Sequence, residues 1–283
     1  MVHSFIKCKL SNMEPSLISI LLGSFTGIVL ALTGAGGAII AVPLLMFSLH
    51  LTVAEAAPVG LLAVGLSAAI GALLAFRQKI VRYRAASLIA AMGALTAPIG
   101  IWAAQQLSNA PLTLLFACVL IYVAIRMFHQ GLHENDVRIM ADPPCRLDEI
   151  GERLVWNIPC FRALAFSGTM AGFLSGLLGV GGGFVIVPTL KKVTNLNTSF
   201  ILATSLAIIA LVSLAGVVSA IFIGTLKWSI AFPFCGGTIA GMLVGRLFAD
   251  RFAEHRLQQS FAILAISVAI GLIVKVVWNA FFS

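Results

Sequence analysis

The chain has 283 residues, 60% of them hydrophobic and 10% charged, with a formal net charge of +8. A soluble domain of this size carries about a quarter charged residues, so this composition and a mean hydropathy of +1.07 exclude a fully water-facing surface. The basic excess is not read as a nucleic-acid footprint, because Lys and Arg in so apolar a chain report which loops face the cytoplasm.

In chain order, residues 1–20 are an N-terminal extension and the start of the first helix. Met1–Ser11 is polar, with Lys7 and Lys9; Met13 would serve equally as a start, and no cleavable signal is needed. Long apolar blocks follow, and about 20 such residues cross a bilayer as a helix. The first four are Leu17–Leu49 (interrupted at Gly34–Gly37), Val53–Phe76, Ala85–Leu107 and Leu112–Phe128. After a polar linker over 129–163 come Leu164–Leu190 (interrupted at Gly179–Gly183), Thr198–Ile223, Ser229–Phe248 and Leu257–Trp278. No period-2 alternation appears, which excludes a transmembrane β-barrel.

The two sets of blocks are copies. Gly23–Leu45 and Gly168–Leu190, offset by 145 positions, share nine of 23 residues, including five glycines and Pro43/Pro188. The same offset continues without a gap through Gly71/Gly216, Tyr83/Trp228, Gly100/Gly245, Phe116/Phe261 and Ala124/Ala269. The domains expected are therefore membrane repeat 1 over 21–128, a cytoplasmic linker over 129–163 and membrane repeat 2 over 164–278.

Charge placement bears on orientation. Repeat 1 has Arg77, Lys79, Arg82 and Arg84 between its second and third blocks, where repeat 2 keeps only Lys227. Repeat 2 instead carries Lys191, Lys192, Arg251 and Arg256 in the flanking loops, and the linker adds Arg126, Arg138, Arg146, Arg153 and Arg162. Placing all of these inside requires opposite orientation of the repeats, hence an odd number of crossings in each. The glycine-broken block then enters and leaves on one side. The rival arrangement, eight plain crossings with parallel repeats, strands Lys191, Lys192, Arg251 and Arg256 outside. The expected fold is an all-α polytopic membrane protein of two inverted repeats. Each has four helical elements, the first broken at a Gly-rich cluster.

The breaks carry the mechanistic expectation. Gly34-Ala35-Gly36-Gly37 and Gly179-Val180-Gly181-Gly182-Gly183 each divide two apolar half-segments. Half-helices starting near Ala38 and Phe184 would present N–H groups without intrahelical partners and the positive end of a dipole, an anion site without a formal cation. Other small-residue sets, Gly23/Gly27, Gly168/Gly172/Gly176 and Gly237/Gly241/Gly245, read as close helix packing. No nucleotide-binding loop is present, since GxxxxGK[ST] and a complete GxGxxG are both missing.

Chemistry elsewhere is sparse. Cys8, Cys118, Cys145, Cys160 and Cys235 show no CxxC spacing and indicate neither a disulfide framework nor a zinc site. His129 and His133 beside Glu134 have helical metal-ligand spacing, but a solvated linker helix accounts for them. Glu55, Arg246 and Lys275 lie near block ends, where snorkelling to the interface is the default explanation. Glu55 is nonetheless the one coupling candidate. No histidine falls inside an apolar block, so no nucleophile–base pair, catalytic residue, metal site or cofactor is expected.

The broken blocks Gly23–Pro43 and Gly168–Pro188, with Ala203-Thr204-Ser205-Leu206, resemble the sulfite exporter TauE/SafE family, also described as the toluene sulfonate uptake permease family. The resemblance covers both repeats. It implies an ion-coupled secondary transporter in a bacterial inner (plasma) membrane, moving a small, often sulfur-containing anion such as sulfite, sulfoacetate or an organosulfonate. It also implicates Gly34, Gly36, Gly37, Gly179, Gly181, Gly182 and Gly183, with Thr204 and Ser205 as hydroxyl donors. Those hydroxyls could equally bond back to their own helix. Val59-Gly60 replaces the pair in repeat 1 and Ala38 replaces the third glycine, so the expected site is asymmetric. The partners expected are the anion, lipid and a coupling ion (proton or sodium), with no nucleic acid. A homodimer stays open. The alternatives are a carboxylate or amino-acid transporter, a membrane-embedded enzyme, or a passive anion channel.

Overall fold

A hydrocarbon solvent leaves backbone N–H and C=O groups no partner but each other, so long apolar blocks become helices. The computed structural model describes residues 15–33, 36–78, 83–132, 145, 157–194, 198–248 and 254–282. Repeat 1 forms α1 (Pro15–Thr33), α2 (Gly36–Ser48), α3 (Val53–Arg77), α4 (Tyr83–Gln106) and α5 (Asn109–Leu132). Repeat 2 forms α6 (Ile158–Leu178), α7 (Gly183–Val193), α8 (Thr198–Ile223), α9 (Trp228–Phe248) and α10 (Glu254–Phe282). Among the described residues no strand occurs, and seven of these helices are long and apolar enough to cross a membrane. α5 runs on to Leu132 and α6 begins at Ile158, both within the 129–163 expected for the linker.

Helix ends follow local chemistry. Thr52 and Glu55 form a capping box at the start of α3, Thr52 N–H donating to Glu55 Oε2 at 3.1 Å. Val53 N–H donates to Asn109 Oδ1 at 3.2 Å, tying the start of α3 to the start of α5. Proline in the first turn opens α6, and Gly179 closes it in the left-handed conformation.

The helices pair across the repeats rather than within them. α1 packs on α9, α4 on α6, α3 on α8, and α5 on α10. An exchange of equivalent elements between repeats leaves this pattern unchanged. The α1–α9 seam is parallel: Gly23 lies against Phe234 and Thr238, and further up Gly27 lies against Thr238 and Met242. The α4–α6 seam repeats it, with Gly168 on Ile89, Gly172 on Gly93 and Gly176 on Ala97. The spaced glycines thus serve close packing, as their spacing suggests. Thr96 adds a hydroxyl bond across the second seam, to the Thr169 carbonyl at 3.0 Å. By contrast, α3 and α8 run antiparallel, Leu61 lying against Gly216, Gly65 against Ser213 and Gly71 against Leu206.

These directions gather Arg77, Arg84, Arg126, Arg162, Lys191, Lys192 and Arg246 at one end of the bundle. The opposite end holds Lys227, paired with Glu55 at 2.7 Å, and Lys275. Arg246 and Lys275 brace other helices instead of simply snorkelling. Arg246 donates to the Gly71 carbonyl at 3.0 Å and Lys275 to the Met46 carbonyl at 3.2 Å.

One expectation is overturned outright. Cys145 and Cys160, fifteen residues apart, are joined by a disulfide with a Cα–Cα distance of 4.9 Å. Cys145 N–H donates to the Val193 carbonyl, so the bond clamps the segment around Cys145 to the starts of α6 and the end of α7. Spacing could not reveal it, because fifteen residues of irregular composition set no distance between the two cysteines. The side chains of His129, His133 and Glu134 lie outside the described residues.

Candidate functional site

Both glycine breaks are hairpins. Gly37 packs on Leu30 and Gly182 on Ala171, so the chain doubles back each time. Gly34 and Ala35, at the first tip, lie outside the described residues. At the second tip Gly179, Gly181 and Gly182 all have positive φ, at 73°, 67° and 71°. Side chains rarely adopt that conformation, which explains glycine at these points of the loop. Gly182 caps α7: its carbonyl accepts from the Val185 and Ile186 N–H groups, and no side chain caps the first turn.

The second tip is wedged between the antiparallel central helices. Gly179 meets Ala57, and its carbonyl lies close to Gly60 on α3. Gly181 faces Val64 of α3 and Ile209 and Ser213 of α8. The glycines of the second break thus meet α3 and the Ile209–Ser213 stretch of α8, with Gly36 and Gly37 opening the other half-helix, α2.

The hydroxyl pair divides. Thr204 is fully buried and donates back to the Phe200 carbonyl at 2.6 Å, so its proton is committed to its own helix. Ser205, also fully buried, has no hydrogen-bond partner for Oγ. Ser213, two turns further along α8, is in the same state, and its Oγ lies 3.6 Å from where a Gly181 side chain would begin. Ser67 and Ser175 are likewise buried with unpaired hydroxyls. Burying an unpaired hydroxyl costs about 1–3 kcal/mol, so these groups call for a function. Ser213 escaped the sequence reading because it stands in an unbroken apolar helix with no motif around it.

A narrow cleft of about 40 Å³, part of it open to the surface, lies where the two hairpins approach each other. Thr33 and Ile39 flank the first break, Gly183 and Phe184 open α7, and Tyr122 and Arg126 of α5 form the facing wall. Arg126, counted on sequence with the basic residues of the linker although it lies inside the block ending at Phe128, is thus a wall of this cleft. In the other repeat a partly exposed ring meets the corresponding wall. Gly271, the counterpart of Arg126, has the Phe47 ring 3.2 Å from where its side chain would begin. Lys275 lies over that ring, 5.6 Å from its centroid. Val42 and Pro43 are buried accordingly, whereas Val187 and Pro188 at the matching positions are partly open.

Glu55 lies apart from this cleft. Its carboxylate is shared between the Thr52 N–H and the Lys227 ammonium, and both side chains of that ion pair remain over a third exposed.

Seven membrane-length helices, two hairpin breaks and paired seams between duplicated halves define a polytopic membrane transporter. The chain belongs to the sulfite exporter TauE/SafE family, whose sequence profile matches residues 19–272. It is 30% identical over 283 residues to a "Probable membrane transporter protein" of Xylella fastidiosa strain 9a5c, covering 96% of this chain and 98% of that one. It is 24% identical to the "Probable membrane transporter protein YunE" of Bacillus subtilis strain 168, over 93% and 99% of the two chains. No solved structure gives a significant match. The family and these relatives make the chain a multi-pass membrane transporter, not an enzyme.

Proposed function

We propose that the protein is a secondary transporter of small anions, sulfite, sulfoacetate or an organosulfonate, working by ion-coupled alternating access. The observation that carries this is a difference between two equivalent places: Arg126 and the start of α7 line an open cleft, while at the counterpart beside α2 the Phe47 ring packs over Gly271. In an inverted-repeat transporter the two states interchange when the halves exchange conformations. Symmetry-equivalent helices that pack antiparallel, as α3 and α8 do, require a two-fold axis perpendicular to both. Such an axis lies in the membrane plane, which supports the inverted arrangement. The gathering of basic residues at the linker end supports placing that end, and the open cleft, in the cytoplasm.

The anion preference rests on the half-helix N-termini at Gly36 and Gly183 and on the free hydroxyls of Ser205 and Ser213. Each can donate to an oxyanion without a proton having to move. The family's description names sulfite, which favours a sulfur oxyanion over a carboxylate. The test is uptake into proteoliposomes of sulfite, sulfoacetate, taurine, sulfate and acetate, with and without imposed proton or sodium gradients. Saturable, gradient-dependent flux of a sulfur oxyanion or sulfonate is expected. Flux of none of them sinks the assignment, and gradient-independent flux makes the protein a channel.

A further inference from the structure

Arg126 stands on the α5 wall of the cleft, beside Tyr122 and opposite Gly183 and Phe184. It is half-buried, and its contact is the Tyr122 hydroxyl at 3.5 Å, the outer limit of a hydrogen bond. A cation in a membrane-spanning helix is costly and marks a function by default. The scaffold itself does not demand one there, because the equivalent position in the second repeat is Gly271, covered by Phe47. The same cleft is lined by Gly183 and Phe184, which open α7, and the unpartnered, fully buried Ser213 hydroxyl lies beside Gly181 in that break.

We propose that Arg126 is the cationic contact that receives the anion in this cleft, engaging two of its oxygens through the guanidinium fork. The ligand class is a small oxyanion with at least two oxygens on one atom, the geometry a guanidinium matches and an ammonium does not. The proposal rests on the anion-transport reading above and adds to it a formal charge that the glycine breaks lack. Tyr122 orients the guanidinium; it is a positioning residue.

The test compares the full-length wild type with Arg126→Gln, Arg126→Lys and a control, Arg84→Gln, at an exposed arginine of the same end. Uptake kinetics of sulfite, sulfoacetate and acetate are measured in proteoliposomes, and equilibrium binding of the same anions to purified protein alongside. For each anion the wild type carries, R126Q is expected to raise KM and Kd about tenfold or more, as loss of a charged hydrogen bond does. R126K should recover part of that affinity, and R84Q should match wild type. An R126Q protein with wild-type KM and Kd overturns the role of Arg126 and leaves anion transport standing. Wild-type protein that carries none of the three anions overturns the underlying reading and this proposal with it. If R126Q does not purify as a monodisperse species, R126K decides: a lysine variant with unchanged KM and Kd contradicts the fork.

Discussion

Ser205 and Thr204 are neighbours in sequence, equally buried, and differ in one hydrogen bond. Thr204 already donates to Phe200, whereas the Ser205 proton has no acceptor among the described residues. Ser205→Ala should therefore raise the transport KM by roughly tenfold, the effect of losing one hydrogen bond to a charged ligand, while Thr204→Val should leave it nearly unchanged. The reverse order would mean that the back-bond breaks when substrate arrives. Ser213→Ala separates ligand binding from packing. A hydroxyl with no partner contributes nothing to the resting fold, so the variant should melt no lower than wild type yet bind anion more weakly. Glu55 behaves differently. Its carboxylate caps α3 and pairs with Lys227 at an exposed site, an interaction worth about 0–1 kcal/mol. Glu55→Gln is accordingly expected to keep gradient-driven flux, and loss of the gradient response alone would restore it as a coupling residue. Gly181 has φ of 67° and Ile209 Cγ2 only 3.0 Å from its missing side chain. Gly181→Val should abolish transport in protein that still folds as a helical bundle.

At the scale of elements, the helices were legible because lipid allows little else. Thr198–Ile223 has the same limits in sequence and structure, and both glycine breaks fall where the apolar blocks are interrupted. The partners of each helix were not legible. Nothing local to Gly23 says that it meets Phe234 and Thr238, nor does anything near Gly65 name Ser213. For the same reason Arg126 and Ser213 were missed as site residues: each is a single polar side chain in a continuous helix, given meaning only by what faces it. The Cys145–Cys160 bond is the non-local feature with the clearest consequence. Basic residues argue for a cytoplasmic linker, and disulfides are rare in that reducing compartment. Maleimide labelling of denatured protein from rapidly quenched cells should find both cysteines as thiols, the bond forming on oxidation. A pair that reacts only after reduction would place the linker outside. The parallel seams give a further expectation: Thr96→Val removes one interhelical hydroxyl bond and should cost about 0.6 kcal/mol, visible as a small fall in Tm.

For the molecule as a whole, the account depends on two equivalent half-sites that are open by turns to opposite sides. Cross-repeat pairing would supply its mechanical basis: tight glycine seams join α1 to α9 and α4 to α6, so the proposed mechanism has each pair move as a unit. Phe47 against Gly271, held by Lys275 on the Met46 carbonyl, is then the closed gate of one half, and the cleft beside Arg126 is the open gate of the other. The most direct measurement is thiol accessibility of Val187→Cys and Val42→Cys, each in a background with the native cysteines replaced, in vesicles of known orientation. Without substrate, Val187→Cys should react with a membrane-impermeant reagent from the cytoplasmic face, and Val42→Cys should be protected from both. A transported anion, under a gradient that drives turnover, should slow the first reaction and expose Val42→Cys to the opposite face. Reaction of both positions from the same face, or no change in either during transport, would contradict the alternating, inverted arrangement.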